Sequence, residues 1–255
     1  MIPAERRQKM LLIINQQGTA TITQLSDQFA VSEMTIHRDL KFLESSGRVQ
    51  KTYGGVVANQ AIIETEYERR RRTNIEAKQM IGKEAAKLID NGDTIIVDGS
   101  TSCLAMLPEL ANKNNLTVFV TGVNACLTLS AFPNIELHCT GGMVQEGTDW
   151  FVGATTIEVL KSIHADKCFI SAACIYPQFG IMDPIQTISE VKKQIVSAAN
   201  EVIVLADHSK FGRVTKFQVL SFNEIDLIIT DAEKDSPCVK EIIEQGVEIL
   251  FVEKT

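Results

Sequence analysis

The chain has 255 residues, 45% of them hydrophobic and 22% charged, which excludes a disordered or fibrous protein and suits a small module joined to a larger one. Its formal net charge of −7 argues, taken whole, against a polyanion partner. Yet residues 1–75 hold 11 Lys/Arg against 8 Asp/Glu, while residues 76–255 hold 14 against 24. A basic head on an acidic body fits a protein that docks nucleic acid through one end only.

Along the chain, Met10, Ile13 and Ile14 fall at helical spacing within residues 4–16, and Gly18 stops that helix. Thr23 reads as the cap of a short second helix over 24–29, with Leu25 and Phe29 on one face. Ala30 and Val31 make a turn, and Ser32 caps a third helix over 33–44 whose apolar face is Ile36, Leu40 and Leu43. Gly47 ends it, and residues 49–57 read as strand, glycine turn and strand. Residues 58–75 are polar, include four arginines at 69–72, and read as an interdomain linker.

From residue 76 helices and short apolar strands alternate. Helices are expected over 76–90, 102–111, 153–164, 189–200 and 237–245. Strands are expected over 94–98, 117–121, 136–139, 168–172, 202–206, 227–230 and 248–252. The alternation predicts a mostly parallel sheet covered on both faces. The fold class is therefore α/β: a winged helix-turn-helix over 1–57, a linker over 58–75, and a mostly parallel α/β domain over 76–255. The six cysteines lack metal-ligand spacing and mostly sit in or beside apolar runs. They read as buried reduced thiols of a cytoplasmic protein, with no metal and no cofactor implied. No stretch is long and apolar enough to read as a signal peptide or a membrane span.

Three short helices, a tight turn before the third and a hairpin wing make a DNA-reading module. A helix of about 11 residues is ~16 Å long, so its first half enters a major groove ~12 Å wide. Its outward residues are Glu33, Met34, Thr35, His37, Arg38 and Lys41. Arg38 or His37 is placed to read a purine edge, Thr35 to bond a phosphate or touch a thymine methyl, and Lys41 to meet phosphate. Arg48, Lys51 and Tyr53 sit on the wing, where backbone or minor-groove contacts are expected. Thr23 and Ser32, at the helix starts, complete the candidate DNA-binding set. The run Val31-Ser-Glu-Met-Thr-Ile-His-Arg-Asp-Leu40, followed by Leu43-Glu-x-x-Gly47 and Tyr53-Gly-Gly55, resembles the signature of the DeoR family of sugar-operon regulators. His37 stands where that family usually has arginine.

In the second domain, Asp98, Gly99, Ser100, Thr101 and Ser102 lie between a strand and a helix. Free backbone N–H groups and small hydroxyls gather there, a natural seat for phosphate, and Gly99 lets the backbone approach a ligand. Gly141 and Gly142 follow another strand. Asp207 and Lys210 lie past the 202–206 strand, at the end where open α/β sheets bind ligands, and a lysine there pairs with phosphate. From about Lys78 to Asp231 the chain again resembles the DeoR family, now its effector domain. The matching pieces are Asp98-Gly-Ser-Thr101, Gly141-Gly142, Gly153, Ser189-Glu-x-x-Lys-Lys193, Asp207-His-Ser-Lys-Phe-Gly212 and Ile229-Thr-Asp231.

The resemblance implies a fold like ribose-5-phosphate isomerase and a site for a phosphorylated sugar. Ser100, Thr101 and Ser102 would hold phosphate, Lys210 would add charge, and Asp98 or Glu190 would bond sugar hydroxyls. Val120-Thr121 stands where the family often has Thr-Asn, which brings Thr121 into the effector set. It also implies a repressor acting on double-stranded operator DNA, and because paired half-sites match two-fold protein symmetry a homodimer or larger homo-oligomer is expected. Two readings compete. One is an isomerase or hydrolase using Asp98, Glu190 and Lys210, the other a scaffold whose α/β domain merely oligomerises. An enzyme has little use for a winged helix, so no catalytic residue is assigned. His208 reads as a loop residue facing ligand or solvent, and Trp150 and Phe151 as packing.

Overall fold

The structure is a computed structural model that describes residues 2–45, 49–52, 54–58 and 66–253. The chain forms two compact units, Met1–Thr65 and Glu66–Thr255. In the first, α1 (Pro3–Gln17), β1 (Thr19–Thr21), α2 (Ile22–Phe29), α3 (Glu33–Ser45), β2 (Val49–Thr52) and β3 (Gly55–Ala58) follow in order. Met10 and Ile14 of α1, Leu25 of α2, Ile36, Leu40 and Leu43 of α3, and Val49 and Val56 of the wing share one buried core. Each such side chain contributes about 1.5–3 kcal/mol by leaving water, and their convergence fixes α3 against α1 and the wing.

Two local details differ from expectation. The cap of α2 is Thr21, not Thr23. The Thr21 hydroxyl accepts from Gln24 N at 3.1 Å while Gln24 Oε1 accepts from Thr21 N at 2.9 Å, a reciprocal box that satisfies two helix-end donors. The preceding residues 19–21 form β1, which pairs antiparallel with β3, so the wing is three-stranded in the order β1-β3-β2. Arg48 and Tyr53, expected on the wing, lie outside the described residues.

The second unit opens with α4 (Glu66–Arg72) and α5 (Ile75–Lys87). Then come β4 (Thr94–Val97), α6 (Thr101–Met106), β5 (Leu116–Val120), α7 (Val123–Leu129) and β6 (Ile135–Cys139). A hairpin of β7 (Met143–Val144) and β8 (Phe151–Val152) leads to α8 (Ala154–Lys161) and β9 (Ala165–Ser171). After β10 (Cys174–Tyr176), β11 (Gly180–Asp183), α9 (Gln186–Ser197), β12 (Ala199–Leu205) and β13 (Phe217–Leu220), the unit closes with β14 (Leu227–Thr230), α10 (Pro237–Glu244) and β15 (Ile249–Phe251). Seven strands make one parallel sheet in the order β15-β14-β12-β9-β4-β5-β6.

Alternate residues of each strand face opposite layers. Ile96, Ile170 and Val204 pack with Leu160 of α8, Val191 of α9 and Ile242 of α10. Ile95, Phe169 and Leu205 pack with Ile81 of α5, Met106 of α6 and Leu129 of α7. The chain steps outward from β4 to β5 and β6, then returns to β9 and steps the other way. The order reverses between β4 and β9, and it is beyond the carboxyl ends of strands at such a reversal that open α/β sheets take ligands.

The reading of 58–75 as linker needs correction. Residues 66–72 are helical and belong to the second unit, because Tyr67 is buried and anchors α4. Helix α7, the β7–β8 hairpin and the antiparallel sheet β10-β11-β13 were not expected either. Their strands are two to four residues long, too short for a period-2 pattern to register. Cys126 of α7 and Cys139 of β6 form a disulfide with Cα atoms 6.1 Å apart, where the sequence suggested thiols. The β5–α7–β6 unit brings them together. Among the described residues no helix is long and apolar enough to cross a membrane.

Candidate functional site

On α3 the side chains of Glu33, Met34, His37, Arg38 and Lys41 stand in solvent, and Met34 is 70% exposed. Among the described residues of the expected DNA set, Thr23, Ser32, Thr35 and Lys51 are held in place. Thr23 donates its hydroxyl to Glu33 Oε1 at 3.1 Å and so ties α2 to the start of α3. Ser32 caps α3 loosely, accepting from Thr35 N at 3.4 Å, and the two hydroxyls lie 3.0 Å apart. Lys51 lies 3.7 Å from Glu44 Oε2, and its backbone N–H donates to the same carboxylate, so α3 braces the wing. The residue that sequence reasoning missed is Asp39. It is 1% exposed, and its two oxygens accept from Arg6 Nε and Arg7 Nε, each at 2.7 Å. The Arg7 guanidinium also lies 4.1 Å above the Phe42 ring. A buried charge is tolerable only when paired, and this pairing locks the reading helix onto α1.

In the second unit the turn after β4 is built from within. Asp98 is buried, and its oxygens accept from Ser100 N at 2.8 Å and from Ser171 N at 2.7 Å, stitching β4 to β9 across the reversal point. Burial raises its pKa, opposed by the nearby Lys192 and those hydrogen bonds. The Ser100 hydroxyl caps α6 by accepting from Cys103 N at 3.2 Å, and Ser102 is buried. Gly99 serves close packing: an added Cβ would stand 3.0 Å from Trp150 Cγ and 3.1 Å from the Thr121 carbonyl. Under this turn lies a buried set whose pairing the motif Ser189-Glu-x-x-Lys-Lys193 did not reveal. Lys192, 2% exposed, donates to Ser171 O at 2.7 Å and Asp183 Oδ2 at 2.9 Å, with its ammonium 5.2 Å from the Trp150 ring centroid.

Other expected effector residues lie apart. Thr121 is fully buried, and its hydroxyl finds no partner among the described residues. Gly141 accepts from the Thr156 hydroxyl at 2.7 Å. A Cβ on Gly142 would stand 2.3 Å from that hydroxyl oxygen, so the pair closes the chain onto α8. Glu190 is exposed and accepts from Gln186 at 3.1 Å. His208 is held by Asp231, Nδ1 to Oδ2 at 2.7 Å, and lines a separate cavity with Pro237 and Cys238.

Two further cavities are lined by expected effector residues. Thr101 lines one of about 430 Å³, with Arg71, Lys78 and Lys83. Lys210 lines the other, of about 540 Å³, beyond the ends of β9 and β12. Its walls carry Arg69, Arg70, Lys78, Lys210 and Arg213 against the single carboxylate Asp207. Lys78 borders both. Burial lowers its pKa to about 8, with Lys210 and Arg70 pushing the same way and Asp207 opposing. Burial likewise lowers Lys210, countered by Asp207. Burial pushes Asp207 up, but Lys210, Ser209 and Asn74 outweigh it and leave it lowered. Neither Asp98 nor Glu190 lines the cavity that Lys210 lines, so the acid–base set required by the isomerase reading is not assembled there.

Comparison with known proteins follows the same division. A family model described as the DeoR-like helix-turn-helix domain matches residues 6–61, and one described as the DeoR C terminal sensor domain matches residues 73–232. The HTH-type transcriptional regulator GolR of Listeria innocua is 34% identical over 254 residues, 99% of this chain and 100% of that protein. The HTH-type transcriptional repressor GlcR of Bacillus subtilis is 34% identical over 257 residues, 100% of this chain and 98% of that protein. A solved ribose 5-phosphate isomerase A from Methanocaldococcus jannaschii shares 20% identity over 54% of this chain and 55% of its own, with a TM-score of 0.40. That likeness is too loose to argue from.

Proposed function

This chain belongs to the DeoR family of transcriptional regulators, and on that premise we propose that it represses a carbohydrate-utilisation operon under the control of a phosphorylated sugar. The observation that carries the reading is the union in one chain of an exposed α3 face and a metabolite-sized cavity with a cationic lining. On α3, Arg38 and His37 read base edges in the major groove of double-stranded operator DNA, and Lys41 meets phosphate. Paired half-sites call for a homodimer or larger homo-oligomer. The protein works in the cytoplasm and needs no cofactor beyond its effector.

The test is a gel shift with the chain's own promoter fragment, repeated with a panel of phosphorylated sugars and their unphosphorylated forms. A shifted band that at least one phosphate ester alters, and its parent sugar does not, is expected. No retarded band with any fragment of that promoter would sink the DNA reading. Operator binding indifferent to every ester would leave a regulator without this effector class.

A further inference from the structure

We propose that Cys126 and Cys139 are a redox-reversible couple, a site of thiol–disulfide exchange whose state sets how firmly α7 is held to the edge strand β6. The proposal takes its setting from the cytoplasmic reading above. In a reducing compartment an exposed disulfide is opened and closed by the thiol pool rather than kept as a permanent staple.

The couple sits at the rim of the parallel sheet. Strand β6 is outermost and pairs with β5 alone, Val120 opposite Cys139. Ile135, Leu137 and Cys139 alternate onto one face of it. Ile135 and Leu137 pack there with Ala125, Cys126 and Leu129 of α7. The Cα atoms of Cys126 and Cys139 are 6.1 Å apart, inside the span of about 4.4–6.8 Å that a disulfide bridges, so the bond opens and closes without carrying the backbone with it. Cys139 is exposed and Cys126 half-buried. The other four cysteines are different. Cys103, Cys168 and Cys174 are buried and Cys238 is half-buried, and all four are free. Burial pushes their thiols up, so they stay protonated, and a protonated thiol is a poor nucleophile. Access therefore singles out one pair.

The exchange balances with a low-molecular-weight thiol and its disulfide, such as glutathione. A glutathione thiolate attacks the exposed Cys139 Sγ, the bond to Cys126 breaks, and Cys126 leaves as a thiolate. A second glutathione thiolate attacks the glutathione sulfur of the mixed disulfide. Glutathione disulfide departs and Cys139 is left as a thiolate, and both cysteines take up protons from water. Oxidation runs the same steps backwards, the two thiols losing two electrons and two protons while glutathione disulfide becomes two thiols.

Helix α7 is what the bond holds, and α7 touches more than β6. At its start, the backbone N–H of Val123 donates to the Asp149 carbonyl at 3.0 Å, and Asn124 Nδ2 donates to Asp149 Oδ1 at 2.7 Å. Asp149 stands near Tyr67 of α4, whose hydroxyl is raised first by burial and then by that carboxylate. At the other end of the helix, Thr128 lines the cavity of about 430 Å³. Reduction leaves the apolar contacts of α7 in place and removes its one covalent tie, so the expected change is a looser helix, not an unfolded one.

Alkylation of the folded full chain with N-ethylmaleimide, read by mass spectrometry, counts its open thiols, and hydrogen exchange reads the looseness. Prepared without reductant, the chain should leave Cys126 and Cys139 unlabelled. Millimolar dithiothreitol should open both to label while Cys103, Cys168 and Cys174 stay protected, and glutathione disulfide should close the pair again. Exchange over 123–129 and 135–139 should quicken several-fold on reduction. In Cys139→Ser, which places a small polar residue at an exposed position, dithiothreitol should change nothing over those segments. The proposal fails if dithiothreitol leaves the bond closed in the folded chain, because a bond that only unfolding opens is a staple. It fails equally if the opened thiols do not re-form the bond with glutathione disulfide, or if exchange over α7 and β6 is the same in both states. None of these readouts uses DNA or a sugar phosphate, so their failure is distinct from a failed gel shift.

Discussion

In the amino-terminal unit the buried charges among the described residues are Arg6 and Asp39, and the cations of α3 stand in water. In the carboxyl-terminal unit Lys78, Lys192, Asp98, Asp183 and Asp207 are all buried. On the proposed function, the contrast follows from what each unit would meet. Duplex DNA carries about one charge per 1.7 Å of axis and is met by exposed cations that displace counterions, so burial there would only add cost. A single small anion supplies few contacts, so each must be desolvated and pre-aimed to count. The same desolvation pulls Lys78 down to about pH 8.

The sharpest way to break this contrast is to remove a buried charge from the second unit. Lys192→Ala leaves Asp183 and the Ser171 carbonyl without their partner and should cost about 3–5 kcal/mol of stability in a urea melt. A loss under about 1 kcal/mol would show that water replaces the ammonium. In the first unit Asp39→Ala strands the buried Arg6, and a loss of about 2–3 kcal/mol, with weaker operator binding, is expected by circular dichroism and gel shift. Intact stability there would mean that the helix lock is dispensable.

Exposed charges should behave differently. Arg38→Ala should weaken operator binding by ~1–3 kcal/mol while the melting curve stays put, and an unchanged affinity in the folded variant would reject the base-reading role. The smallest effect is one of pH. Lys78 is charged below about 8, and a phosphate ester becomes a dianion above about 6. Effector affinity should therefore peak between those values and decline as pH rises past 8, with Lys78→Met flattening the upper limb in titration calorimetry. Arg70, Lys210 and Asp207 face Lys78, and a decline that persists in Lys78→Met would place the titrating group elsewhere.

Much of the architecture was legible because apolar periodicity is a local record of burial. The core positions Met10, Ile14, Leu25, Ile36, Leu40 and Leu43 were read at their helical spacing and all prove buried. The sheet strands at Thr94–Val97 and Leu227–Thr230 fall within the spans expected. The box Thr21-x-x-Gln24 was equally present in the sequence and was passed over for Thr23. Helix α4 was hidden by its arginines, since one buried tyrosine in a charged run leaves no period to see. Of the expected effector residues, Thr101 of the turn and Lys210 past the 202–206 strand open onto different cavities, and Lys78, common to both, carried no motif in the sequence.

By itself the sequence determined the two-part plan, the winged helix, the parallel α/β layers and the outward face of α3, because each is written in spacing along one strand or helix. Only the tertiary structure decided that Asp39 meets Arg6 and Arg7, that Lys192 meets Asp183, and that α4 shares a cavity with Lys210 and Asp207. A hydrophobic period says which side of an element is dry. It holds no information about which distant charge waits there, and burial makes that pairing obligatory.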